Sequence, residues 1–270
     1  MLTCKVGLER EMGLSTRLLS GSEARELCPE LSNTVIGADY CADEGSANPF
    51  LVTPAFAGAA KRAGAMILTH IEVSAIERDD RRGFVAQTLG GPIRAHRIVN
   101  AAGPWAASVA AMLGIDLPIR SRPIQVNVTE PSAPLLRQML QHVRRRLTLK
   151  QTPVGTFLLG GGWPASASVR GGRNPTTWES MNANAWVAAS VLPRLADLRI
   201  VRTWAGLIPI TPRSMIPMVG EVPGAPGFYV LASGVGFTLG PILGRLLAES
   251  LAGRPTSHAI DDFGFARSGG

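Results

Sequence analysis

The sequence predicts a two-domain protein in which an α/β domain is interrupted by a domain built on an antiparallel sheet. Helical and extended apolar patterns alternate over residues 50–120 and again over 200–270, which indicates one discontinuous α/β domain. Within residues 121–199 strand patterns follow one another without helices between them, as in an antiparallel sheet, and we assign these residues and 1–49 to the second domain.

The first elements are predicted from helix-boundary signals. Ser20 and Glu23 have the spacing of a capping box, so a short helix starts there and ends at Pro29. The turn-forming residues of Ala38–Pro49 then predict a loop.

A second helix is predicted directly after this loop. Thr53 suits the N-cap, Pro54 the first helical position, and Gly64 the C-terminal end. The apolar segment Ala65–Glu77 that follows is predicted to be extended.

A hairpin and a strand–turn–helix unit come next. Gly83–Leu89 and Ile93–Gly103 are predicted as strands around a Gly90–Pro92 turn. The second strand ends in Ala-Ala-Gly and passes into a helix over Pro104–Gly114. Small residues at that corner allow another group to approach the backbone closely.

The middle of the chain is predicted to form antiparallel strands that begin near Arg122, Arg145 and Gly155. A helix follows, with a predicted buried face of Trp178, Met181, Ala185, Trp186, Ala189 and Leu192. Near the C-terminus a strand over Gly227–Ala232 leads through a glycine-rich turn into a helix over Ile242–Gly253.

Composition indicates a globular chain. The sequence has 270 residues, of which 46% are hydrophobic and 17% charged, enough for a full core. Its net charge of +7 could suggest nucleic acid, but the arginines are scattered. The dense cluster Arg144–Arg146 has no interleaved aromatic residues, so we interpret it as a solvated face and expect no nucleic-acid partner.

Compartment and membrane signals point to a cytoplasmic chain. The first residues are too charged for a signal peptide, and Cys4, Cys28 and Cys41 have the spacing of neither a disulfide framework nor a zinc site. The uncharged stretch Val222–Gly244 is long enough to span a bilayer but is broken by prolines and glycines, so we expect no transmembrane segment. The four histidines lack ligand or triad spacing, and we expect no metal.

Three motifs in order carry a family resemblance: "RIVNAAGPW", "RTWAGLIPITPRSMIPMVG" and "GFYVLASGVGFTLGPILGRLLAESLAG". Together they resemble the FAD-dependent amino-acid and amine oxidoreductases, the group of D-amino-acid oxidase, glycine oxidase and sarcosine oxidase. "DEGSANPFLVTPAFAGAAKRAGA" and "LTLKQTPVGTFLLGGGW" look most like the bacterial subunits of opine oxidase, D-hydroxyproline dehydrogenase and hydrogen cyanide synthase type.

The resemblance implies a glutathione-reductase-like FAD-binding domain. Its terminal strand–turn–helix would face the flavin, since a helix N-terminus stabilises the negative charge that reduced flavin gathers. The first cofactor residue implied by position is Val73, whose backbone would contact adenine. The others are Ala101, Ala102, Gly103, Gly206, Gly234, Gly236, Phe237, Thr238 and Leu239. Trp105 has a competing explanation as a core residue, and without the other motifs the turn could be an ordinary glycine-rich one.

The resemblance implies an amino acid, imino acid or opine as substrate and the antiparallel domain as the part that binds it. Gln125, Lys150, Gln151 and Gly160–Gly162 would lie on the substrate side by position. Where glycine oxidase has an arginine for the substrate carboxylate, this sequence has Ile208. No catalytic acid or base stands out, which suits hydride transfer to flavin N5, because that chemistry depends mainly on positioning.

The sequence departs from the family pattern in two further ways. No GxGxxG occurs, so the first β-α-β unit of the FAD domain is expected to be lacking. Many members read Thr-Pro-Asp where this chain has Thr211-Pro212-Arg213. The changes at Ile208 and Arg213 could tune substrate choice or record relaxed constraint.

Two functions therefore remain open. The first is an FAD-dependent oxidoreductase that passes electrons to oxygen or to a companion redox subunit. The second is a non-catalytic or companion-dependent chain that needs a separate nucleotide-binding segment, and it predicts an exposed apolar surface where the absent strands would pair.

Overall fold

The computed structural model describes residues 1–79, 83–167, 173–212, 216–260 and 263–265. The chain divides into two compact units, the first of Met1–Ala47 with Pro123–Gly206 and the second of Asn48–Arg122 with Leu207–Gly270. The mixture of helices with antiparallel sheets agrees with the predicted fold class. The assignment of substrate and cofactor roles to separate domains remains a prediction.

The helices of the described residues are α1 (Leu2–Glu11), α2 (Gly21–Leu27), α3 (Pro49–Arg62), α4 (Ala106–Ala111), α5 (Trp178–Val191) and α6 (Gly236–Leu251). The strands are β1 (Thr16–Ser20), β2 (Gly37–Cys41), β3 (Val73–Asp79), β4 (Gly83–Thr88), β5 (Ile93–Ala95), β6 (Ile98–Asn100), β7 (Arg120–Pro131), β8 (Leu140–Gln141), β9 (Thr148–Gln151), β10 (Thr156–Pro164), β11 (Ile200–Ile210), β12 (Met218–Glu221) and β13 (Phe228–Ala232). Two 3₁₀ turns lie at Gly103–Trp105 and Pro193–Asp197.

The first unit is organised around a five-stranded sheet with the order β11-β7-β10-β9-β8. Its strand pairs β7–β10, β10–β9 and β9–β8 are antiparallel, as predicted for the middle of the chain. Helix α5 packs on β10, and the core between them includes Leu149, Phe157, Leu159 and Ala188.

The predicted buried face of α5 is wrong at its two tryptophans, whereas its last residue, Leu192, is fully buried as predicted. Trp186 is 64% exposed and Trp178 is also exposed, whereas Asn184 is fully buried. The helix is turned in this way because the Asn184 side chain bonds the sheet: its Oδ1 accepts from Asn127 Nδ2 at 3.0 Å, and its Nδ2 donates to the Gly160 carbonyl at 2.9 Å. Specific polar contacts therefore outweigh the hydrophobicity of the two indoles.

The N-terminal segment confirms one prediction and corrects another. The capping box is present, with Ser20 Oγ accepting from Glu23 N at 3.2 Å and Glu23 Oε2 accepting from Ser20 N at 2.7 Å. Part of the predicted loop is instead strand β2, which pairs antiparallel with β1 from Thr16↔Cys41 to Ser20↔Gly37. Turn-forming composition alone missed this strand because its partner supplies the hydrogen bonds.

In the second unit, α3 starts earlier than predicted. Asn48 is its N-cap, with Oδ1 accepting from Phe50 N at 3.0 Å, and Pro49 takes the first helical position. Pro54 lies inside the helix. The predicted end is confirmed, since Gly64 has φ +93° and donates its N–H to the Lys61 carbonyl at 3.0 Å.

The second unit contains two three-stranded sheets, β12-β13-β6 and β3-β4-β5. The predicted single strand over Ile93–Gly103 is divided between them: β5 pairs antiparallel with β4, whereas β6 pairs parallel with β13. The chain changes sheets at His96, where Ile98 N donates to the Gly227 carbonyl at 2.9 Å. Phe84, Phe228 and Val230 are central to this unit's core.

Helix α6 packs on β12 and β13 through Leu243 and Leu247. It begins six residues before the predicted apolar stretch, at Gly236, and it includes Pro241. The uncharged segment Val222–Gly244 thus contains a strand, a turn and part of a helix. Of the helices in the described part of the chain, none has the length and apolar character needed to cross a bilayer.

Candidate functional site

The parallel pairing of β6 with β13 brings two of the predicted cofactor segments together. Their register runs from Phe228↔Ile98 to Val230↔Asn100, so both strands have their carboxyl ends at the same edge. The turns that follow them, 101–103 and 233–235, therefore lie side by side. Ligands of open α/β sheets bind outside the carboxyl ends of the strands, which makes this edge the candidate site.

The first turn is held by Asn100, a buried residue that sequence reasoning missed. Its Nδ2 donates to the Ala106 carbonyl at 2.8 Å, and its Oδ1 accepts from Ala102 N at 3.2 Å. Gly103 has φ +55°, and a Cβ there would have open space around it. The signal in the sequence was a polar residue at the end of an apolar strand.

The second turn delivers the N-terminus of α6 to the same edge. Val235 N donates to Ser233 Oγ and Gly236 N to the Ser233 carbonyl, both at 3.1 Å, so the turn is closed by its own serine. Leu239 N donates to the Val235 carbonyl at 3.1 Å. Of the four predicted donors, Gly236 and Leu239 are thus occupied within the chain.

The N–H groups of Phe237 and Thr238 have no acceptor among the described residues. They lie in the first turn of a sixteen-residue helix, where backbone N–H groups and the helix dipole favour negative charge. Both side chains are exposed. Two backbone donors at an accessible helix N-terminus fit a planar, electron-rich carbonyl edge such as that of flavin.

The backbone beside these donors, at Gly236, is open. A Cβ on Gly236 would meet only Ser233 Cβ, at 3.9 Å, so the backbone there is open to close approach. The edge therefore offers hydrogen-bond donors and small residues.

The remaining predicted cofactor residues lie on other elements. Val73 begins β3 in the sheet β3-β4-β5, and Trp105 ends the 3₁₀ turn after Gly103 with an exposed side chain. Gly206 lies in β11, and no atom is within 4 Å of the Cβ it would carry. Ile208 is two residues along the same strand.

The two predicted substrate glutamines have their amide groups occupied inside the first unit. Gln125 is fully buried, its Oε1 accepting from Thr177 N at 2.8 Å and its Nε2 donating to the Thr177 carbonyl at 3.3 Å. Gln151 accepts from Leu135 N and Leu136 N at 2.8 and 3.0 Å. These bonds give both residues a structural role, and a substrate role stays a prediction.

Lys150 points to the opposite face of the five-stranded sheet. Its register partner is Leu158, whereas Leu149 and Leu159 on the other face belong to the core beneath α5. Because neighbouring strand residues alternate between faces, Lys150 and Leu158 share the face that α5 does not cover. Within the described ranges, its ammonium group forms no ion pair.

Two further predictions concern metal binding and Arg213. The described residues contain no group of His, Cys, Asp and Glu side chains that could hold a metal ion. Arg213, the predicted charge reversal, lies outside the described residues.

Comparison with known proteins gives a family match and several relatives. Residues 4–250 match the family described as FAD dependent oxidoreductase. Glycine oxidase of Geobacillus kaustophilus is 28% identical over 264 residues, which cover 96% of this chain and 67% of that protein. Hydrogen cyanide synthase subunit HcnC of Pseudomonas protegens is 28% identical over 225 residues, which cover 83% of this chain and 52% of that protein.

A solved structure shows the same fold. L-proline dehydrogenase from P. horikoshii superposes with a TM-score of 0.88 at 29% identity, over 96% of this chain and 70% of that one. The chain thus spans about half to two thirds of the length of the relatives that it matches in sequence.

Proposed function

Because the chain belongs to the family of FAD dependent oxidoreductases, we propose that it oxidises the carbon–nitrogen bond of an amino acid, imino acid or opine. The resemblance predicted from the sequence is confirmed, and FAD is the cofactor of the family. When bound, flavin supplies an acceptor at N5 for the hydride of the carbon that bears nitrogen, and the resulting imine is hydrolysed.

The observation that carries this proposal is the shared edge of β6 and β13. The turn 101–103 would line the adenosine side of the cofactor, with Asn100 fixing its backbone. The first turn of α6 would place the N–H groups of Phe237 and Thr238 against the flavin carbonyl edge. Gly234 and Gly236 would admit the ring beside the backbone.

The proposed substrate anchor lies on the face of the five-stranded sheet opposite α5. Ile208 cannot bind a carboxylate, so the arginine anchor of glycine oxidase has no counterpart at that position. Lys150, a cation without an ion pair among the described residues, supports the proposal of a replacement anchor on that face. Oxygen and a companion redox protein are both allowed as electron acceptors.

A backbone substitution tests the cofactor site directly. Phe237→Pro removes one N–H that has no acceptor within the described part of the chain, and Gly236 before it tolerates a following proline. Proline in the first turn costs the helix no internal hydrogen bond, so we expect α6 to persist and FAD affinity to fall about tenfold.

The matched control is Phe237→Ala, which removes the exposed ring but keeps the N–H. Affinity is measured by the quenching of flavin fluorescence, with far-UV circular dichroism to confirm the fold. Equal FAD affinity of the proline and alanine variants would show that this N–H does not bind the cofactor.

A second candidate function is a subunit whose FAD site is completed by a β-α-β segment of a separate polypeptide. Within the described residues β6 pairs only with β13, and Val99 on β6 is 40% exposed. Helix α3 has no buried residue, and Phe50 is 86% exposed and Met66 83%. These apolar side chains support a surface that another segment covers.

Mixing tests this second candidate. If it is correct, the chain retains FAD after gel filtration only in the presence of a β-α-β segment taken from a full-length relative, and the two polypeptides co-elute. FAD retention by the chain alone, without co-elution of the added segment, would contradict it.

A further inference from the structure

A shallow groove of about 430 Å³ lies on the first unit. It is lined by Arg145, Arg146, Trp163, Ala183, Trp186 and Val187, and we refer to it as the arginine–tryptophan groove. The two arginines belong to the cluster that the sequence suggested was a plain solvated face. The structure keeps all three arginines exposed, as that interpretation expected, and it adds that two of them lie over tryptophans from distant parts of the sequence.

Each arginine is stacked on one indole. The Arg145 guanidinium carbon lies 4.9 Å from the ring centre of Trp186, and that of Arg146 lies 5.9 Å from the ring centre of Trp163. Trp163 Nε1 also donates to the Arg146 carbonyl at 2.8 Å. Stacking uses the face of a guanidinium and leaves its N–H donors at the edge available to a carboxylate.

The backbone that carries the arginines is fixed before any ligand binds. His142 Nδ1 accepts from Arg144 N and Arg145 N, both at 3.1 Å, and His142 N donates to the Leu147 carbonyl at 3.2 Å. Gly161 packs so closely that a Cβ there would lie 2.4 Å from Leu147 N. A preorganised turn loses less entropy when a ligand binds than a flexible one.

The groove carries positive charge that the described residues do not neutralise. None of Arg144, Arg145 and Arg146 forms an ion pair with a carboxylate of the described ranges. Trp186 and Val187 also line the groove, and Trp186 is 64% exposed. Exposed tryptophan next to arginine is the composition of the energetically dominant positions in protein interfaces.

We propose that the arginine–tryptophan groove is the docking surface for an acidic segment of another protein. Its carboxylates would pair with the guanidinium edges of Arg145 and Arg146, and an apolar side chain would rest on Ala183 and Val187 between the indoles. The open, shallow form of the groove suits an extended peptide, since small molecules bind in sites that enclose them. The apolar floor does not suit a nucleic-acid backbone. This inference does not depend on the proposed oxidoreductase activity.

The test uses a fluorescent peptide of about a dozen residues in which glutamate and leucine alternate, a length that matches the anchors of peptide grooves. The comparison peptide has glutamine in place of glutamate. By fluorescence anisotropy with the whole chain, we expect the glutamate peptide to bind at least about tenfold more tightly, and added salt to weaken its binding.

Variants locate the binding on the molecule. Arg145→Gln combined with Arg146→Gln, and separately Trp186→Ala, are each expected to weaken peptide binding about tenfold. Arg17→Gln is the matched control, because the Arg17 guanidinium also stacks on an aromatic ring, that of Tyr40 at 5.4 Å, but lies outside the groove. Its binding should equal that of the unmodified chain.

Several results would overturn the proposal. Equal affinity for the two peptides, or an equal loss in Arg17→Gln, would show that no specific acidic site exists. Stronger binding of a short DNA duplex than of the glutamate peptide would make the surface a nucleic-acid site. A dimer in gel filtration that the double arginine variant abolishes would make a second copy of the chain the occupant. If Trp186→Ala unfolds, the double arginine variant decides.

Discussion

At the scale of single residues, buried polar side chains set the positions of the functional elements. Asn100 fixes the turn after β6, Asn184 fixes the rotation of α5, and Gln151 joins two loops of the first unit. The partners of Asn184 and Gln151 are backbone groups that lie far away along the sequence. Asn100 bonds within a turn whose shape cannot be predicted from the local sequence pattern. This is why the sequence did not identify them as structural.

His142 provides a pH-dependent prediction at this scale. Burial, followed by the charge of Arg145, holds the pKa of His142 below its ordinary value. The neutral ring is also the form whose Nδ1 accepts from the two N–H groups. A lowered folded-state pKa means that the unfolded chain binds more protons. The resulting stabilisation is present above about pH 6.5 and is lost as the pH falls through the lower folded-state value.

The measurement compares urea unfolding of the unmodified chain and His142→Asn from about pH 7.5 down to pH 5. Asparagine keeps an acceptor that does not titrate. We expect the stability difference between the two proteins to shift in favour of the asparagine variant as the pH falls. A stability difference between the two proteins that stays constant across this range would show that protonation of His142 does not destabilise the fold.

At the scale of elements, local signals predicted helix ends where a specific side chain or a glycine makes the cap. The Ser20 capping box and the Gly64 end of α3 are confirmed. The start of α3 was placed too late because Thr53-Pro54 and Asn48-Pro49 carry equivalent N-cap signals. The predicted face of α5 was wrong at Trp178 and Trp186 because periodicity weighs hydrophobicity and takes no account of amide hydrogen bonds to the sheet.

Strand β10 gives a prediction at this scale, through two neighbouring glycines. Gly161 has φ +121°, and a Cβ there would meet backbone atoms of Arg146 and Leu147 at 2.4–2.7 Å. Gly162 has φ +76°, and a Cβ there would meet no atom within 4 Å. We expect Gly161→Ala to cost about 3 kcal/mol or more of unfolding free energy and Gly162→Ala about 1 kcal/mol.

Equilibrium unfolding in urea of both variants checks this difference. Gly162→Ala serves as the control for the cost of a positive φ alone. Similar losses in the two variants would show that the turn 146–147 can move away from β10. The rigidity assigned to the arginine–tryptophan groove would then be wrong.

At the scale of the whole molecule, the sequence predicted the mixture of α/β and antiparallel architecture and the family. Both followed from the order of motifs along the chain. The parallel pairing of β6 with β13 did not follow from any local pattern, because the two strands are far apart in sequence. The sequence of a short apolar strand also does not indicate which strand it pairs with. The arginine–tryptophan groove was missed for the same reason, since its indoles and guanidiniums come from separate segments.

The central claim is that this chain uses FAD to oxidise a carbon–nitrogen bond. The most direct test is the anaerobic visible spectrum of the FAD-loaded chain, with the β-α-β segment added if retention requires it, before and after addition of glycine, sarcosine, proline or an opine. The account predicts that the flavin absorbance bands bleach with at least one of these compounds. Bands that no such compound bleaches, although dithionite does, would contradict the claim.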